Sequence, residues 1–453
     1  MLPVPSDHRG MSLEDDTLKL LIWRRKAPKF TTFRINSLVT TPSHCMDTLK
    51  LALLKLSESR AASGQDSTVP PIWSHPLLPE AIAYGSWARN GDLPRHESEV
   101  IVDPACGAAV LRGAHVFVPG VVGLLPGAKE GDIVSIYADI EARCKRGWAQ
   151  RLEAENRYFV GNGVLLMGRK DIFCDNGIGR GIAVQVTDNE SGCPSLPANS
   201  ISPGLAVMQN LPSIVCGRVV NPQPGEIILD MCAAPGNKTT HLSMLMKNQG
   251  VVIALDRSAT RTSKLRQLCK DMKVKNVTAF VCNSVNAVIN SNTQIEGVKY
   301  GHQSHNQSGP PFPINTFDRV LLDAPCSALG QRPKLEQIDF KHVTSLPPLQ
   351  KKLFETAVKL LKPGGTLVYS TCTVVVDENE GIVRWALDHF PCLELVPAEP
   401  YLFPSVSNQD VSMILSPFER SCVQKYVPHG NLEENHCERD TIGFFIARFF
   451  KRV

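Results

Sequence analysis

No C-x-x-C pair occurs in this chain. Its 14 cysteines are scattered, the two nearest in sequence being Cys269 and Cys282. That removes the spacing a zinc site needs, so no metal is expected, and in 453 residues it argues against a disulfide scaffold. Free thiols fit a reducing compartment, so a cytoplasmic location is expected, with the nucleus as the alternative. No run of about 18 apolar residues suggests a membrane span. The opening residues M-L-P-V-P-S-D-H-R-G contain no apolar signal-peptide core. Neither sign of charge is in large excess: a net charge of +4 and a pI near 8.3 permit nucleic-acid binding without requiring it. A G-x-G-x-x-G loop is also missing, which disfavours a dinucleotide with a pyrophosphate. What remains is an ordinary globular composition, 43% hydrophobic and 20% charged, in a chain long enough for two or three domains.

Residues 227–256, I-I-L-D-M-C-A-A-P-G-N-K-T-T-H-L-S-M-L-M-K-N-Q-G-V-V-I-A-L-D, organise the rest. Ile227, Ile228 and Leu229 form a short apolar run, the pattern of a strand buried on both faces. Residues 233–236 make a small-residue turn, residues 238–247 open a helix that Gly250 ends, and residues 251–255 form a second buried strand closing on Asp256. Such a unit puts a helix N-terminus at the carboxyl end of the first strand and an acid about 20 positions on at the end of the next. This is the layout of a nucleoside site, with Asp256 placed for ribose hydroxyls. A loop with few glycines suits S-adenosyl-L-methionine, a nucleoside without phosphates.

Residues 317–326, F-D-R-V-L-L-D-A-P-C, and 364–373, G-G-T-L-V-Y-S-T-C-T, are two further strands that lead to thiols. Parallel strands present their carboxyl ends along one edge, so Asp230, Asp256, Asp323, Cys326 and Cys372 are expected to line one crevice. With these blocks in order, residues 29–448 resemble the Sun-domain RNA (cytosine-5) methyltransferases, whose loops read C-A-A-P-G-G-K-T, D-A-P-C-S-G and S-T-C-T. The resemblance implies an α/β fold of the Rossmann-like class I S-adenosylmethionine-dependent methyltransferase type. It implies cofactor contacts at Cys232, Ala233, Ala234, Pro235, Gly236, Asn237, Lys238, Asp256, Asn283 and Asp323.

Carbon 5 of cytosine is a poor nucleophile. A thiolate adding to carbon 6 makes an enamine that can attack a sulfonium methyl group, and the proton on carbon 5 must then leave. By resemblance Cys372 is the nucleophile, Cys326 assists release, Asp323 holds ring nitrogen 3 and the exocyclic amine, and Lys238 bonds the base or stabilises charge beside it. DNA cytosine methyltransferases use the proline-cysteine thiol instead, so the order of the thiols stays open. A lone strand-end cysteine is usually a small buried hydrophobe, a reading that suits Cys232 and Cys282. Lys238 at a helix start, where the dipole disfavours a cation, is not there for stability. Three positions depart from the family: Asn237 and Ala328 stand where it has glycine, and Asn283 where it has an acid accepting from the adenine amine. They keep a second hypothesis alive, a non-catalytic or weakly active RNA-binding protein with the same fold.

The remaining chain divides into residues 1–96, 97–190 and 191–453. In the first part, residues 15–23 suggest a short helix and the basic cluster Arg24, Arg25, Lys26 and Lys29 a solvated face. Then F-T-T-F-R-I-N resembles the family's T-x-R-x-N element, which packs beside the catalytic domain and faces RNA. Residues 47–56 read as an amphipathic helix and 57–68 as a loop. In the second part, short β-like runs without helices between them read as a small barrel. Its L-R-G-A-H-V-F-V-P-G-V and F-V-G-N-G-V runs look like a PUA pseudo-barrel. One family branch carries that module between the N-terminal element and the catalytic core and docks a tRNA acceptor stem with its CCA end there. Arg112, His115, Lys145, Arg146 and Asn162 are the candidate RNA contacts. In the third part, residues 188–202 read as a linker, 204–220 and 349–362 as helices, 286–316 as a polar insertion, and D-T-I-G-F-F-I-A-R-F-F as a last strand on an antiparallel edge. The protein is taken to act as a monomer.

Overall fold

A computed structural model describes residues 13–62, 64, 67–88, 91–174, 179–196, 200–289, 309–402, 412–427 and 440–453. The chain opens with α1 (Leu13–Arg25), β1 (Phe30–Ile35), α2 (Pro42–Ala62), β2 (Ile72–His75) and β3 (Leu78–Gly85). It continues with β4 (Glu99–Val102), α3 (Pro104–Leu111), β5 (Val116–Phe117), β6 (Val121–Leu124), β7 (Ile133–Asp139), β8 (Arg157–Leu165), α4 (Arg169–Ile172) and β9 (Ile182–Asn189). After β10 (Ala206–Met208) and α5 (Leu211–Val220) comes an alternating run: β11 (Ile227–Asp230), α6 (Asn237–Leu245), β12 (Val251–Asp256), α7 (Ala259–Asp271), β13 (Val277–Val281) and β14 (Phe317–Asp323). The chain closes with α8 (Phe340–Leu360), β15 (Leu361–Thr371), α9 (Glu380–His389), β16 (Leu393–Val396), α10 (Pro417–Cys422), β17 (Gln424–Tyr426) and β18 (Phe444–Lys451).

Among the described residues these strands form three sheets. The largest runs β13-β12-β11-β14-β15-β18-β16, with β17 also on β18; its first five strands are parallel and β18 is antiparallel to β15. Consecutive residues of its central strands serve opposite faces, as the pleat requires. Leu229, Val320, Leu322 and Leu367 join one core with Phe354 of α8, whereas Ile228, Val252, Leu321 and Val368 join the other with Ile214 of α5 and Leu242 of α6. A sheet covered on both faces accounts for the continuous apolar runs in its strands. β12 leaves β11 on one side and β14 lies on the other, so the strand order reverses at β11. Switch points of this kind open a crevice at the strands' carboxyl ends.

A second sheet, β10-β1-β3-β2, joins residues from before and after the third, six-stranded sheet β5-β9-β8-β7-β4-β6. The six-stranded unit is thus inserted between β3 and β10 of one sheet. Several expectations need correction. The apolar stretch around Ala108 begins as the helix α3, capped by the Asp103 side chain, and not as a strand. Residues 204–220 start as β10 before the helix α5, and α2 runs on through Ser57 to Ala62 where a loop was expected. Helix α8 starts at Phe340 with Pro347 and Pro348 inside it. The last strand is not at an edge, for β15 flanks β18 on one side and β16 and β17 on the other. Most of the polar insertion, residues 290–308, lies outside the described residues.

Strand β1 is clamped to the catalytic sheet by its polar side chains. Arg34, fully buried, donates to Gln209 Oε1 at 2.7 Å, Thr240 Oγ1 at 2.8 Å and the Asn237 carbonyl at 3.1 Å, and to Met244 Sδ. Asn36 donates to the carbonyls of Gly204 at 2.7 Å and Met272 at 2.8 Å. The arginine and asparagine of the T-x-R-x-N element therefore point into the catalytic domain. Arg24 of the supposed solvated cluster is buried as well. From β3, the Glu80 carboxylate accepts from Arg218 Nε at 2.7 Å and Nη2 at 2.5 Å and lies 3.0 Å from His241 Nε2 on α6. Burial opposes the Glu80 charge, but hydrogen bonds from His241 and Arg218 outweigh it and hold its carboxyl well below the usual range. Gly217 lies against the His241 ring, where a Cβ would stand 2.2 Å from Nδ1.

Burial pushes the His241 imidazole down to about 4 from an ordinary value of 6.5. Below pH 6.5 the unfolded chain takes up a proton that the folded chain refuses, so this stability is whole above 6.5 and is lost as pH falls toward 4. Urea titrations from pH 7.5 to pH 4.5 are expected to show a loss on the order of 2 kcal/mol, and His241→Gln should flatten that slope. Parallel slopes in the two proteins would remove His241 from the clamp.

Candidate active site

The end of β11, the start of α6 and the loops after β14 and β15 meet at the reversal of strand order. Asp230 closes β11 and is buried; its Oδ2 accepts from Thr239 Oγ1 at 2.7 Å, while Oδ1 has no partner in the described structure. Burial pushes this acid up to about 7. Gly236 caps α6 with φ 111°, so the left-handed position falls on glycine and not on Asn237, which is the first helical residue. Asn237 donates to the Met208 carbonyl at 3.3 Å. Lys238 follows, and its ammonium lies 2.8 Å from Asp323 Oδ2. Burial works against that cation, but the Asp323 charge outweighs it and raises the lysine above its ordinary value. Asp323 Oδ1 accepts from Ser370 Oγ at 2.8 Å, so the carboxylate is fixed from both sides.

The two thiols stand together: Cys326 Sγ and Cys372 Sγ are 3.3 Å apart. They are electrostatically unlike. The hydrogen bond from Cys326 lowers Cys372 against the opposing effect of burial, and Gln331 and Lys238 add to the lowering. The same hydrogen bond and burial raise Cys326 well above an ordinary thiol. The pair is therefore asymmetric, Cys372 being the more acidic thiol and Cys326 the better hydrogen-bond donor. Ala328 holds φ 56°, a glycine-like turn made by alanine.

A cavity of about 520 Å³ opens in front of this group, lined by Lys238, Asp323 and Cys372 on one side and by Thr31, Arg112, Asn210, Gln331 and Lys334 on others. Segments from along the chain wall it: β1 and its flanks, the end of α3, Cys193, the junction of β10 and α5, the start of α6, the loops after β14 and β15, and the start of β18. Arg112 reaches across it to donate to the Pro333 carbonyl at 3.2 Å.

Whether the residues fit a nucleoside cofactor is tested by the neighbouring loop. Ala233 and Ala234 are buried small residues, and a Cβ on Gly236 would stand 3.0 Å from Leu265. The Asp256 carboxylate, at the end of β12, accepts from Ser258 N at 2.9 Å and Ala234 N at 3.2 Å and keeps lone pairs for hydroxyls. Asn283 caps a short 3₁₀ turn, accepting from Val285 N at 3.3 Å, and stands after β13. Cys232 is half-buried and its thiol is pushed up by burial, as a packing residue's would be. Pro235 completes the turn. This loop, with an unpartnered buried acid beside it, fits S-adenosylmethionine.

The five candidate RNA contacts do not gather. Arg112 lines the catalytic cavity. Lys145 is exposed. Arg146 spends its guanidinium on the carbonyls of Val121 at 2.9 Å, Ile172 at 2.7 Å and Val118 at 3.3 Å, which makes it a loop anchor. His115 is half-buried and accepts from Val186 N at 3.2 Å. Asn162 must be withdrawn as a surface contact: it is 4% exposed and bonded to Ser135 at 3.0 Å and the Pro94 carbonyl at 2.9 Å. Sequence reasoning missed Ser370 and Gln331. Ser370 was inside a quoted motif, but nothing in a strand pattern says that its hydroxyl meets an acid 47 positions away. No group of three or more potential metal ligands occurs among the described residues, and no described helix is long and apolar enough to cross a membrane.

Comparison with known proteins places this geometry. Residues 218–450 match the family described as 16S rRNA methyltransferase RsmB/F. The tRNA (cytosine(72)-C(5))-methyltransferase NSUN6 of Mus musculus is 40% identical over 452 residues, covering 95% of this chain and 89% of that protein. A tRNA (cytosine(72)-C(5))-methyltransferase of Pyrococcus horikoshii is 32% identical over 410 residues, covering 90% and 88%. The crystal structure of NSun6 from Pyrococcus horikoshii with SFG superposes with a TM-score of 0.69 at 27% identity, covering 97% of this chain and 94% of that one.

The unlike thiols have a direct readout. Alkylation by iodoacetamide, followed by peptide mass spectrometry across pH, should modify Cys372 with a midpoint below that of a free thiol. Cys326→Ala removes the donor that favours the thiolate and should move the midpoint upward. A midpoint unmoved by that substitution would contradict the pairing.

Proposed function

Because the chain belongs to the RsmB/F family of Sun-domain methyltransferases, we propose that it methylates carbon 5 of a cytosine in tRNA, near the acceptor end, through a covalent cysteine–carbon 6 intermediate. The cofactor is S-adenosylmethionine, held by the loop from Cys232 to Lys238 with Asp256 and Asn283. When bound it supplies an electrophilic methyl group. The single observation that carries the reading is Cys372 in one cavity with the Lys238–Asp323 pair, with the Cys326 thiol 3.3 Å behind it.

The roles follow from the surroundings of each group. Cys372, with the lowered thiol, attacks carbon 6 of the base. Asp323 accepts from the exocyclic amine, the Lys238 ammonium beside it donates to ring nitrogen 3 and supplies the proton that nitrogen takes on as carbon 6 is attacked, and Ser370 keeps the carboxylate oriented. When Cys372 spends its charge on the carbon–sulfur bond, the main cause holding the Cys326 proton disappears. The Cys326 thiol then gives up its proton to solvent, and the resulting thiolate is the base for the proton on carbon 5. The six-stranded unit is read as an inserted PUA module that docks the acceptor stem with its CCA end, with Arg112 between that unit and the base cavity. The protein works as a monomer in a reducing compartment, the cytoplasm or nucleus, where both thiols stay free.

The experiment is a denaturing gel that retains protein–RNA adducts, run with a methyl-transfer assay on tRNA. Cys372→Ala should abolish both transfer and adduct. Cys326→Ala should still attack and methylate but slow release by roughly 10²-fold or more, leaving a strong adduct band. Exchanged phenotypes would exchange the roles. No transfer and no adduct in the wild type, with tRNA and cofactor bound, would establish the non-catalytic alternative. In the same material Asp256→Ala should weaken cofactor binding by about 1–3 kcal/mol by calorimetry, and an unchanged affinity would take Asp256 out of the site.

A further inference from the structure

Behind the two thiol loops lies a buried carboxylate that the roles above do not use. Glu378 ends a short 3₁₀ turn, Val376–Glu378, in the run V-D-E-N-E, and none of it is exposed. Its carboxylate accepts from Ser327 N at 2.9 Å, Ser327 Oγ at 2.5 Å and Gln350 Nε2 at 2.9 Å. All three donors are neutral. Ser327 is the residue after Cys326, and its hydroxyl also lies 2.8 Å from Thr373 Oγ1, the residue after Cys372.

The two loops are not equally dependent on this acid. Cys372 follows directly on β15, whose last residue, Thr371, is still paired with Phe445 of β18. Asn379 holds the same loop again, accepting from Thr371 Oγ1 at 2.6 Å and donating to the Thr373 carbonyl at 3.0 Å. Cys326 lies three residues beyond the end of β14: Ala324 N still bonds the Ser370 carbonyl at 2.9 Å and the Pro325 carbonyl accepts from Gln350 Nε2 at 2.9 Å, but on the other side of Cys326 the loop is held through Ser327 on Glu378. A buried acid costs free energy unless its lone pairs are filled, and here the groups that fill them belong mostly to the residue next to Cys326.

We propose that Glu378 is the positioning residue of the release step. Through Ser327 it fixes the loop that carries Cys326 and so sets the distance at which that thiol meets the proton on carbon 5. In that step the Cys326 thiolate takes the carbon 5 proton, the carbon 5–hydrogen pair forms the 5,6 double bond, and the carbon 6–sulfur pair returns to Cys372 as thiolate. The inference rests on the roles given to the two thiols under the proposed function.

The test uses the full chain with tRNA and S-adenosylmethionine, comparing the wild type, Cys326→Ala, Glu378→Gln and Ser327→Ala. Turnover and the denaturant-resistant adduct are measured together. Glu378→Gln keeps the size of the side chain but turns an amine toward the Ser327 donors. Ser327→Ala removes the link without touching the buried acid, so it covers the case in which the first variant misfolds. Both are expected to lose turnover at least about tenfold while the adduct rises toward the Cys326→Ala level. Adding Glu378→Gln to Cys326→Ala should then raise the adduct no further. If turnover and adduct fall together in both variants, Glu378 only supports the fold and the proposal is overturned. If Ser327→Ala turns over like the wild type, the link through Ser327 is wrong. A Cys326→Ala enzyme without adduct overturns instead the thiol roles beneath the inference, a failure visible in its own lane.

Discussion

A lysine ammonium held 2.8 Å from an aspartate at the carboxyl end of a parallel sheet is the contact on which the site depends. Neither group belongs there alone. Lys238 sits at the first turn of α6, where the helix dipole repels a cation, and its side chain is only 12% exposed. Asp323 ends a buried strand and has to be fixed to serve a planar base. Paired, each neutralises the penalty of the other, and Ser370 fills the second oxygen of the acid. The pair joins α6 to β14 across the point where strand order reverses, so the geometry that binds a nucleoside and the geometry that holds a base share one lysine-bearing loop.

Helix α6 must then be held still, and the chain does this from outside the catalytic sheet. Arg34 on β1 bonds the Asn237 carbonyl and Thr240, and Glu80 on β3 meets His241. Two buried charges from the first segment thus grip consecutive turns of the helix that carries Lys238. Stripping ions of water is unfavourable unless every donor and acceptor is matched. Arg34 meets this with four acceptors, and Glu80 with a two-pronged arginine and an imidazole. Loss of one partner leaves the other charge buried and bare, so the contact specifies one docking of the N-terminal sheet and excludes near alternatives. The cavity wall formed by Thr31 and Asn210 follows from that docking, since β10, next to Asn210, pairs with β1.

What the sequence reveals and what it hides divides along the same line. The buried strands were legible because a sheet covered on both faces writes itself as unbroken apolar runs, and an acid or thiol just after such a run marks the crevice. Asp323 and Cys372, which line the cavity, were found that way, whereas Asp230, Asp256 and Cys326, expected in the same crevice, are not among its lining residues. The clamp was not legible, because its partners are far apart in sequence: Glu80 meets His241 across 161 positions and Arg34 meets Asn237 across 203. A pattern read along the chain carries no trace of such pairs. Helix α3 was misread because P-A-C-G-A-A-V-L is apolar all round, which fits a strand as well as a short helix packed on both sides; its aspartate cap was the available signal. Helix α8 was started too late because two prolines argue for a break. Here the Asp339 cap bonds Lys341 N and His342 N and opens the helix well before Pro347.

The order of the two thiols, open on motif grounds, has a physical basis in the asymmetry of the loops. Both sulfurs are shielded and share one hydrogen bond, so a charge placed on either would be felt by both. The surroundings break the tie. The bond from Cys326, with Gln331 and Lys238, favours an anion on Cys372 against burial and the Asp323 charge, whereas the same bond, burial and the acid Glu378 disfavour one on Cys326. Cys372 is therefore the more acidic of the two. Once Cys372 is bonded to carbon, that preference vanishes and Cys326 is the nearest sulfur able to take a proton back. A single shared hydrogen bond between unlike neighbours thus makes two identical side chains electrostatically distinct, as the proposed division into attack and release requires.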